Sequence, residues 1–397
     1  MSETCDDGGT VNVTTCKKNI HISIIGDAFV DIFCRCSNLP VLGGDTLLQK
    51  PMELLPGGSG VNTATHLVGL LNSHNDNCDA ASLVSFDEVN VYTAVGMDDH
   101  GDLLRGHANE IGFKLFDCSS NEQELSETSS LAATGHCLVI VADDDRSFLT
   151  YRGCIDNFQC DRLSQVVLPT NSNSSMSKVH QHFHIAGYYN ITSFWNGKLK
   201  ERIKSLKSAR EALNISTTVS LVPQYDASGE WDGGILDILE CVDLLIMSEN
   251  EALSITKCKN IDDASCTLQR VSPGTLVIIT RSSKGAIAVA NGKQVCSQRA
   301  AQIEVVDPTG AGDAFAAGFL YGFLKNGNFL LSDEAVRTGL EFGCAVGTAN
   351  VLVDGASKPS KESKIKEFLS LQSIGNDETD DELKPCERSS SSLMSRK

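Results

Sequence analysis

The sequence has little of what membrane proteins and nucleic-acid-binding proteins require. No run approaches the roughly 18 consecutive apolar residues of a membrane span, and 51 acidic against 33 basic residues give a formal net charge of −18. Because phosphate backbones and anionic membranes attract clusters of Lys and Arg, this balance disfavours partners of either kind. It does not exclude a nucleotide substrate, which needs only a local group of N–H donors and a metal ion.

Signals for secretion and for a structural metal are also missing. Residues 1–18 have no basic start followed by an apolar stretch, so we expect no signal peptide. The 15 cysteines include no CxxC pair and no Cys/His group with zinc spacing, which predicts reduced thiols in a cytoplasmic protein. The polar residues 1–18 and the acidic, Ser-rich residues 374–397 are expected to be disordered, which leaves a folded domain over 19–373.

The middle of the chain alternates between apolar, strand-like runs and helical segments of ten or more residues. This alternation is typical of βαβ units, so we predict an α/β fold with a mostly parallel sheet and helices on both faces. Residues 33–56 are instead short extended pieces broken by Pro and Gly, which favours a small sheet apart from the main body. Two polar segments, 72–90 and 117–130, are predicted to be surface insertions.

The most informative stretch, residues 305–324, reads VVDPTGAGDAFAAGFLYGFL. Pro308 keeps the residue before it extended, and Gly310 and Gly312 allow a tight turn that a ligand can approach closely. The apolar segment that follows has helical spacing, so its free N–H groups and its dipole favour an anion at the turn. Asp313 places a carboxylate beside that site; taken alone, it could equally be an ordinary acid at a helix N-terminus.

A second glycine turn, at residues 57–60, precedes a segment through Leu71 whose apolar residues fit one face of a helix. In open α/β sheets, ligands bind at the carboxyl ends of the strands. We predict that the candidate polar residues at those ends meet in one cleft: Asp31, the 57–60 turn, and residues 248–251, 280–285 and 307–313.

Two of these stretches resemble the signatures of a known family. GGSGVNTA at residues 57–64 and DPTGAGDAFAAGF at residues 307–319 resemble those of the PfkB (ribokinase-like) carbohydrate kinases, and the likeness extends in order over about residues 20–370. The resemblance implies a Rossmann-like sheet with a small β lid, formed here by about residues 32–56 and 137–152. It also implies transfer of the γ-phosphoryl group of ATP to a hydroxyl of a sugar, as in ribokinases and fructokinases.

The resemblance also implies roles for single residues. Asp313 would take the proton from the attacking hydroxyl as general base. The N–H groups of the 310–312 turn would stabilise the developing charge on the transferred group; these residues are Gly310, Ala311 and Gly312. The implied acceptor-binding residues are Asp31, Gly57, Gly58 and Asn62, and Asp27 is a less well matched candidate.

The nucleotide end of the implied site has several members and three departures from the family pattern. The ATP-binding candidates are Ser248, Thr280, Ser282, Gly285 and Gly312. Glu251 would hold Mg²⁺ through water, and a monovalent-cation (K⁺) site would involve Asp307, Thr309 and the loop at 355–356. Ser248 stands where Asn is usual, Ser282 replaces a common Gly, and Val222 precedes Pro223 where several members carry Asn or Asp.

Two rival functions remain open. A nucleoside kinase would need an aromatic slot for the base, for which the sequence offers Phe29, Phe33, Tyr151 and Phe158. A non-catalytic relative would bind sugar or nucleotide, or act as a scaffold, without turnover. In either case, short edge-exposed strands in the lid favour a homodimer formed through it.

Two further patterns suggest metal sites but have simpler interpretations. His180, His182 and His184 alternate and therefore share one strand face, where they could bind a metal. Since no fourth ligand lies nearby in sequence, we expect a half-exposed strand face instead. Asp143 to Asp145 lack the spacing of a calcium-binding loop and are expected to form a solvated hairpin turn.

Overall fold

The structure is a computed structural model that describes residues 18–76, 84–119, 133–142, 145–165, 179–325 and 332–372. The expectations for both chain ends, for most of the segment 117–130 and for the turn at 143–144 lie outside the described residues. No helix within these ranges is long and apolar enough to cross a membrane.

The described residues form thirteen strands and nine α-helices, connected by turns and short 3-10 segments. The strands are β1 (Lys18–Gly26), β2 (Phe29–Arg35), β3 (Glu53–Gly57), β4 (Val84–Thr93), β5 (Lys114–Asp117), β6 (His136–Ala142), β7 (Asp145–Tyr151), β8 (Val179–Ala186), β9 (Ser216–Val222), β10 (Leu244–Ser248), β11 (Leu276–Thr280), β12 (Ala286–Ala290) and β13 (Lys293–Gln298). The helices are α1 (Ser59–Asp76), α2 (Asp99–Ile111), α3 (Lys198–Glu211), α4 (Ile235–Ile238), α5 (Glu249–Thr256), α6 (Ile261–Val271), α7 (Ala311–Leu324), α8 (Asp333–Asn350) and α9 (Glu362–Gln372).

The main sheet has nine strands in the order β13-β12-β11-β10-β9-β8-β1-β4-β5. The seven strands from β11 to β5 pair in parallel, and β12 and β13 extend the sheet in antiparallel fashion. Successive residues of β10 enter opposite cores: Leu244 and Ile246 pack with α1, α7 and α8, whereas Leu245 and Met247 pack with α3, α5 and α6. Because both faces are covered, central strands such as β10 and β11 are almost continuously apolar.

Helix α7 is buried along almost its whole length and packs closely against α8. Gly318 and Gly322 make this approach possible, because a Cβ atom would come within 2.5 Å of the carbonyl oxygens of Phe342 and Thr338. The close packing fixes the position of the N-terminus of α7, where Asp313 lies.

A separate four-stranded sheet has the order β3-β2-β6-β7, with β2 and β6 parallel and the other pairs antiparallel. We call it the small sheet. The predicted extended pieces at 33–56 contribute the end of β2 and most of β3 to it. One of its surfaces is apolar and open, with Leu54, Leu149 and Tyr151 each more than half exposed.

The interpretation of residues 72–90 as one polar insertion is wrong. Helix α1 continues to Asp76 and β4 begins at Val84, so within the described residues much of this segment belongs to regular structure. Polar residues between Val84 and Val89 obscure the strand pattern, and the pairing of β4 with β1 is irregular between Ile20 and Ile22. Strands β5 and β13 were also not predicted, since edge strands bury only part of their side chains.

The expectation that the histidines of β8 are half-exposed is also wrong. His180, His182 and His184 are each 1% exposed or less, because β8 lies between β1 and β9 and both faces of the sheet are covered. Their ring nitrogens lie 2.7–3.0 Å from hydroxyl groups of β9, in a ladder formed with Ser216, Thr218 and Ser220. Burial lowers the pKa of His184 to about 3, so its ring is neutral at physiological pH.

Candidate active site

The turn before α7 can be built only with glycine at its last position. Gly310 has φ +73°, and a Cβ atom there would come within 2.4 Å of the Cβ of Ala356. Asp307 holds the turn: its Oδ1 accepts hydrogen bonds from the N–H and hydroxyl of Thr309, and its Oδ2 accepts one from the N–H of Gly355. The N–H of Ala311 donates to the carbonyl of Pro308 at 3.3 Å, and the other N–H groups at the start of α7 have no preceding helical carbonyl, so this turn is suited to an anion.

Asp313 is buried beside this turn and is surrounded by neutral donors. Its Oδ1 accepts hydrogen bonds from Ser59 Oγ and Gln224 Nε2, both at 2.7 Å, and its Oδ2 accepts one from Asn62 Nδ2 at 2.8 Å. A carboxylate has about four lone-pair positions, so one remains for a further donor such as a hydroxyl group. Burial raises the pKa of Asp313 to about 7, although the hydrogen bonds from Ser59 and Asn62 oppose the shift.

A cleft of about 940 Å³ contains Asp313 and the 310–312 turn. It lies at the carboxyl edge of the main sheet, and the small sheet contributes Asp31 and part of β7 to its lining. Sequence-predicted residues that line it are Asp31, Gly58, Asn62, Ser248, Glu251, Thr280, Thr309, Gly310, Ala311, Gly312 and Asp313, together with Asp27. Most of the predicted polar positions therefore do meet in one cleft.

Asp27 and Asp31 form a second acidic centre in the cleft. Asp27 follows β1 and accepts hydrogen bonds from the side chain of Asn190 and the N–H of Gly60. Burial raises the pKa of Asp27 to about 6; burial, together with the negative charges of Asp27 and Asp313, raises the pKa of Asp31 to about 7. Asp31 lies within β2 of the small sheet, not at the end of a main-sheet strand as expected, because the main strand β1 already ends at Gly26.

The glycines and Asn62 around this centre differ in what they contact. A Cβ atom on Gly57 would lie 2.3 Å from Asp31 Oδ2, so this glycine makes room for the carboxylate, and Gly57 is not part of the cleft lining. Asn62 donates to Asp313 and accepts a hydrogen bond from the hydroxyl of Ser357. Its amide is therefore occupied in orienting Asp313.

At the other end of the cleft, Ser248 and Glu251 form a capping box at the start of α5. Ser248 Oγ accepts from the N–H of Glu251, and Glu251 Oε2 accepts from the N–H of Ser248 at 2.7 Å. Burial raises the pKa of Glu251. Thr280 lies nearby at the end of β11, whereas Ser282 and Gly285, on the following turn, are not part of the cleft lining.

Several residues of the cleft were not predicted from the sequence. Ser59 and Gln224 contact Asp313 directly, and Arg146 of β7 approaches Asp307 to 3.8 Å. Ser59 was visible within the glycine turn, but nothing in its spacing indicated a contact with a residue more than 250 positions away. Gln224 directly follows the Val222-Pro223 departure, which is the only local signal that could have drawn attention to it.

Aromatic residues line the cleft, but they are mostly not those expected. Phe29 lies in the lining; Phe33 and Phe158 are buried in hydrophobic clusters, and Tyr151 is more than half exposed. The other aromatic residues in the lining are Phe148, Tyr189, Trp195 and Tyr225.

The chain is similar in sequence to known kinases. A cytidine kinase of Thermococcus kodakarensis is 37% identical over 106 residues, a match covering 26% of this chain and 37% of that protein. A probable chloroplastic fructokinase of Arabidopsis thaliana, fructokinase-6, is 26% identical over 352 residues, covering 87% of this chain and 82% of that protein.

Solved structures show the same fold. A ribokinase of Giardia lamblia has a TM-score of 0.64 at 21% identity, covering 90% of this chain and 99% of the other. An Arabidopsis thaliana ribokinase complexed with ribose and ATP has a TM-score of 0.58 at 19% identity, covering 89% and 99%.

The predicted fold class is therefore confirmed: the chain has the α/β fold of the ribokinase-like kinases, with a mostly parallel main sheet, helices on both faces and a small second sheet. It belongs to the pfkB family of carbohydrate kinases, whose model matches residues 19–363. Family members that it resembles act on sugars and on nucleosides, as their names state.

Proposed function

We propose that this protein is an ATP-dependent kinase that transfers the γ-phosphoryl group to a hydroxyl of a sugar, as ribokinases and fructokinases do. The observation that carries the proposal is the placement of Asp313, buried at the start of α7 beside the 310–312 turn and in one cleft with Asp27 and Asp31. The cleft could therefore hold the phosphoryl donor at the 310–312 turn and a polyhydroxyl acceptor beside Asp27 and Asp31, with Asp313 as the general base.

Phosphoryl transfer depends mostly on positioning and on stabilisation of charge. Asp313 would accept the proton of the attacking hydroxyl at the free position on its carboxylate, and a pKa of about 7 suits a base that works near neutral pH. The N–H groups of Gly310, Ala311 and Gly312, with the positive end of the α7 dipole, would stabilise the transferred group.

The acceptor would bind where Asp31 and Gly58 line the cleft, with Asn62 and Gly57 acting indirectly by placing Asp313 and Asp31. The two carboxyl groups of Asp27 and Asp31 can accept hydrogen bonds from neighbouring hydroxyls, which suits a sugar better than a single alcohol. Ser248 and Thr280 would contact ATP from the opposite end, with Ser282, Gly285 and Gly312 as further candidates.

The residues present fit a magnesium ion. Glu251 offers a half-buried carboxylate in the lining of the cleft, and Mg²⁺ is commonly held through water by one or two carboxylates plus substrate phosphates. Bound there, the ion would neutralise negative charge on the phosphates. Asp307 and Thr309 are the candidates for a K⁺ site, since they fix the turn that carries the anion-binding N–H groups.

The test is ATP turnover against pentoses, hexoses, sugar acids and nucleosides, with ATP hydrolysis in the absence of acceptor as the blank. We expect turnover with at least one sugar and loss of that turnover in Asp313→Asn. Asp243→Asn is the matched control, because Asp243 precedes β10 at the opposite edge of the main sheet. No turnover with any acceptor would refute the kinase proposal and favour a non-catalytic binding or scaffold role.

A nucleoside kinase is the second candidate. Five aromatic residues line the cleft, and the hydroxyl of buried Tyr189 has no hydrogen-bond partner in the described part of the chain. The rings of these aromatic residues could contact the nucleobase of a nucleoside. Turnover with adenosine or cytidine that exceeds turnover with every sugar would replace the leading proposal with this one.

A further inference from the structure

Gln224 occupies an unusual position in the cleft. Its φ of +65° lies in the left-handed region, which a residue with a side chain rarely adopts. Both neighbouring segments are fixed: the carbonyl of Pro223 accepts from the N–H of Tyr189, and the Asp226 carboxylate accepts from the N–H groups of Ser228 and Trp231. A strained conformation that its surroundings enforce often marks a functional position.

The side-chain amide of Gln224 is only partly occupied. Its Nε2 donates to Asp313 Oδ1 at 2.7 Å and to Ser59 Oγ at 3.0 Å, and the Ser59 hydroxyl itself donates to Asp313. These three residues therefore form a closed hydrogen-bonded triangle around the candidate base. The Oε1 atom, in contrast, has no hydrogen-bond partner among the residues that the structure describes. Since Gln224 lines the cleft, this oxygen is available to a ligand.

We propose that Gln224 is a positioning and specificity residue: its Nε2 fixes the carboxylate of Asp313, and its Oε1 accepts a hydrogen bond from the acceptor hydroxyl adjacent to the reacting one. The inference deepens the proposed kinase function and rests on it. Gln224, directly after Pro223, would then make a polar contact with the acceptor. The apolar Val222, directly before Pro223, cannot make such a contact.

Two properties follow from the two ends of the amide. A hydrogen bond donated to a carboxylate favours its charged form, so removing Gln224 Nε2 should raise the pKa of Asp313. The acid limb of the pH profile of kcat/KM should then move to higher pH. An acceptor lacking the adjacent hydroxyl leaves Oε1 unpaired, so the wild-type enzyme should discriminate against it and a variant without the amide should not.

The variants are chosen to separate the amide from the backbone. Gln224→Gly removes the side chain and relaxes the positive φ, whereas Gln224→Met keeps the length and the strain but not the polar atoms. Asn291→Gly is the matched control, since Asn291 also has a positive φ, of +52°, in the hairpin between β12 and β13 and outside the cleft lining. Gly and Met variants that behave alike would implicate the amide and not the strain.

The experiment measures kcat and KM from pH 5 to 9 for D-ribose and D-fructose and for their monodeoxy analogues. We expect kcat/KM for the parent sugar to fall roughly 10- to 100-fold in both Gln224 variants, as for loss of a hydrogen bond to a charged group. We also expect the acid limb to move upward and the preference over one deoxy analogue to disappear. Asn291→Gly should match wild type in all three respects.

A second readout does not depend on turnover. A ¹³C titration of aspartate side-chain carboxyls, with Asp313→Asn used for assignment, should show a higher pKa for Asp313 in Gln224→Met than in wild type. An unchanged pKa together with unchanged discrimination would overturn the proposal. If wild type phosphorylates none of these sugars, the acceptor part fails with the proposed function, whereas the titration still decides the positioning part.

Discussion

Replacing Asp313 with Asn should stabilise the protein while inactivating it. The carboxyl is buried and lies in one cleft with the acidic groups of Asp27, Asp31 and Glu251, so its ionised form opposes folding. Since its pKa rises from 3.8 to about 7 on folding, ionised Asp313 costs about 4 kcal/mol of folding free energy at pH 8. A neutral amide of nearly the same shape removes that cost.

The gain is smaller than the full electrostatic cost because the hydrogen bonds do not all survive. An amide at 313 can keep one oxygen acceptor for Ser59 and Gln224, but its NH₂ group must then face the Asn62 amide donor. Asn62 cannot simply rotate, since its oxygen accepts from Ser357. With about 1–3 kcal/mol lost at that mismatch, we expect Asp313→Asn to be more stable than wild type by about 1–3 kcal/mol at pH 8.

The pH dependence gives the sharpest test. Between pH 7 and pH 4 the folded wild type takes up a proton at Asp313 that the unfolded chain does not bind, so wild type becomes relatively more stable as the pH falls. The advantage of Asp313→Asn should therefore shrink by about 3 kcal/mol between pH 8 and pH 5. Urea unfolding at several pH values measures it, with Asp243→Asn as the control. The buried histidines titrate alike in both proteins and cancel, so a difference that stays constant or grows toward pH 5 would refute the reasoning.

Three further predictions concern the rest of the cleft and the small sheet. Asp31→Asn should raise KM for the acceptor at least about tenfold, the effect of one lost charged hydrogen bond, with KM for ATP unchanged in steady-state kinetics; a change confined to ATP would place Asp31 at the wrong substrate. Glu251→Gln can keep the capping box with Ser248, so it should fold normally yet need more free Mg²⁺ for half-maximal turnover. An unchanged Mg²⁺ requirement would reject the metal role. The open apolar surface of the small sheet should form a homodimer that Leu149→Asp dissociates, as measured by light scattering. A wild-type monomer at tens of micromolar would dismiss the dimer.

Much of the main fold followed from local patterns. Strands such as β10 and β11 are short apolar runs, and α5 and α8 begin with recognisable N-caps, so their bounds were predictable to within a residue or two. The edge strands β5 and β13 could not be predicted in this way, because at least half of the residues in each are polar. The exposure of the β8 histidines was wrongly predicted for a related reason, because polar residues are usually exposed. Their burial is tolerated because their ring nitrogens have hydrogen-bond partners in the hydroxyl ladder of β9.

The candidate site was predictable where its residues belong to continuous motifs. The composition of the 307–313 and 57–62 stretches limits the local structure that each can adopt. Because ligands bind at the carboxyl ends of the strands in α/β sheets, we could predict that the two stretches meet in one cleft. The partners Ser59 and Gln224 of Asp313 were not predictable, since one lies at the start of α1 and the other in the β9–α4 connection, and both reach Asp313 across the fold. Contacts of that kind depend on the three-dimensional arrangement of α1, α7 and the β9–α4 connection.

The central claim is that Asp313 activates a hydroxyl of a small acceptor for attack on ATP. The most direct measurement is transfer of ³²P from γ-labelled ATP to the best sugar of the panel at pH 8, in wild type and in Asp313→Asn side by side. Loss of a general base should lower kcat by roughly 10²- to 10⁴-fold while KM for ATP stays near its wild-type value. Undiminished transfer by the folded Asp313→Asn variant would contradict the account.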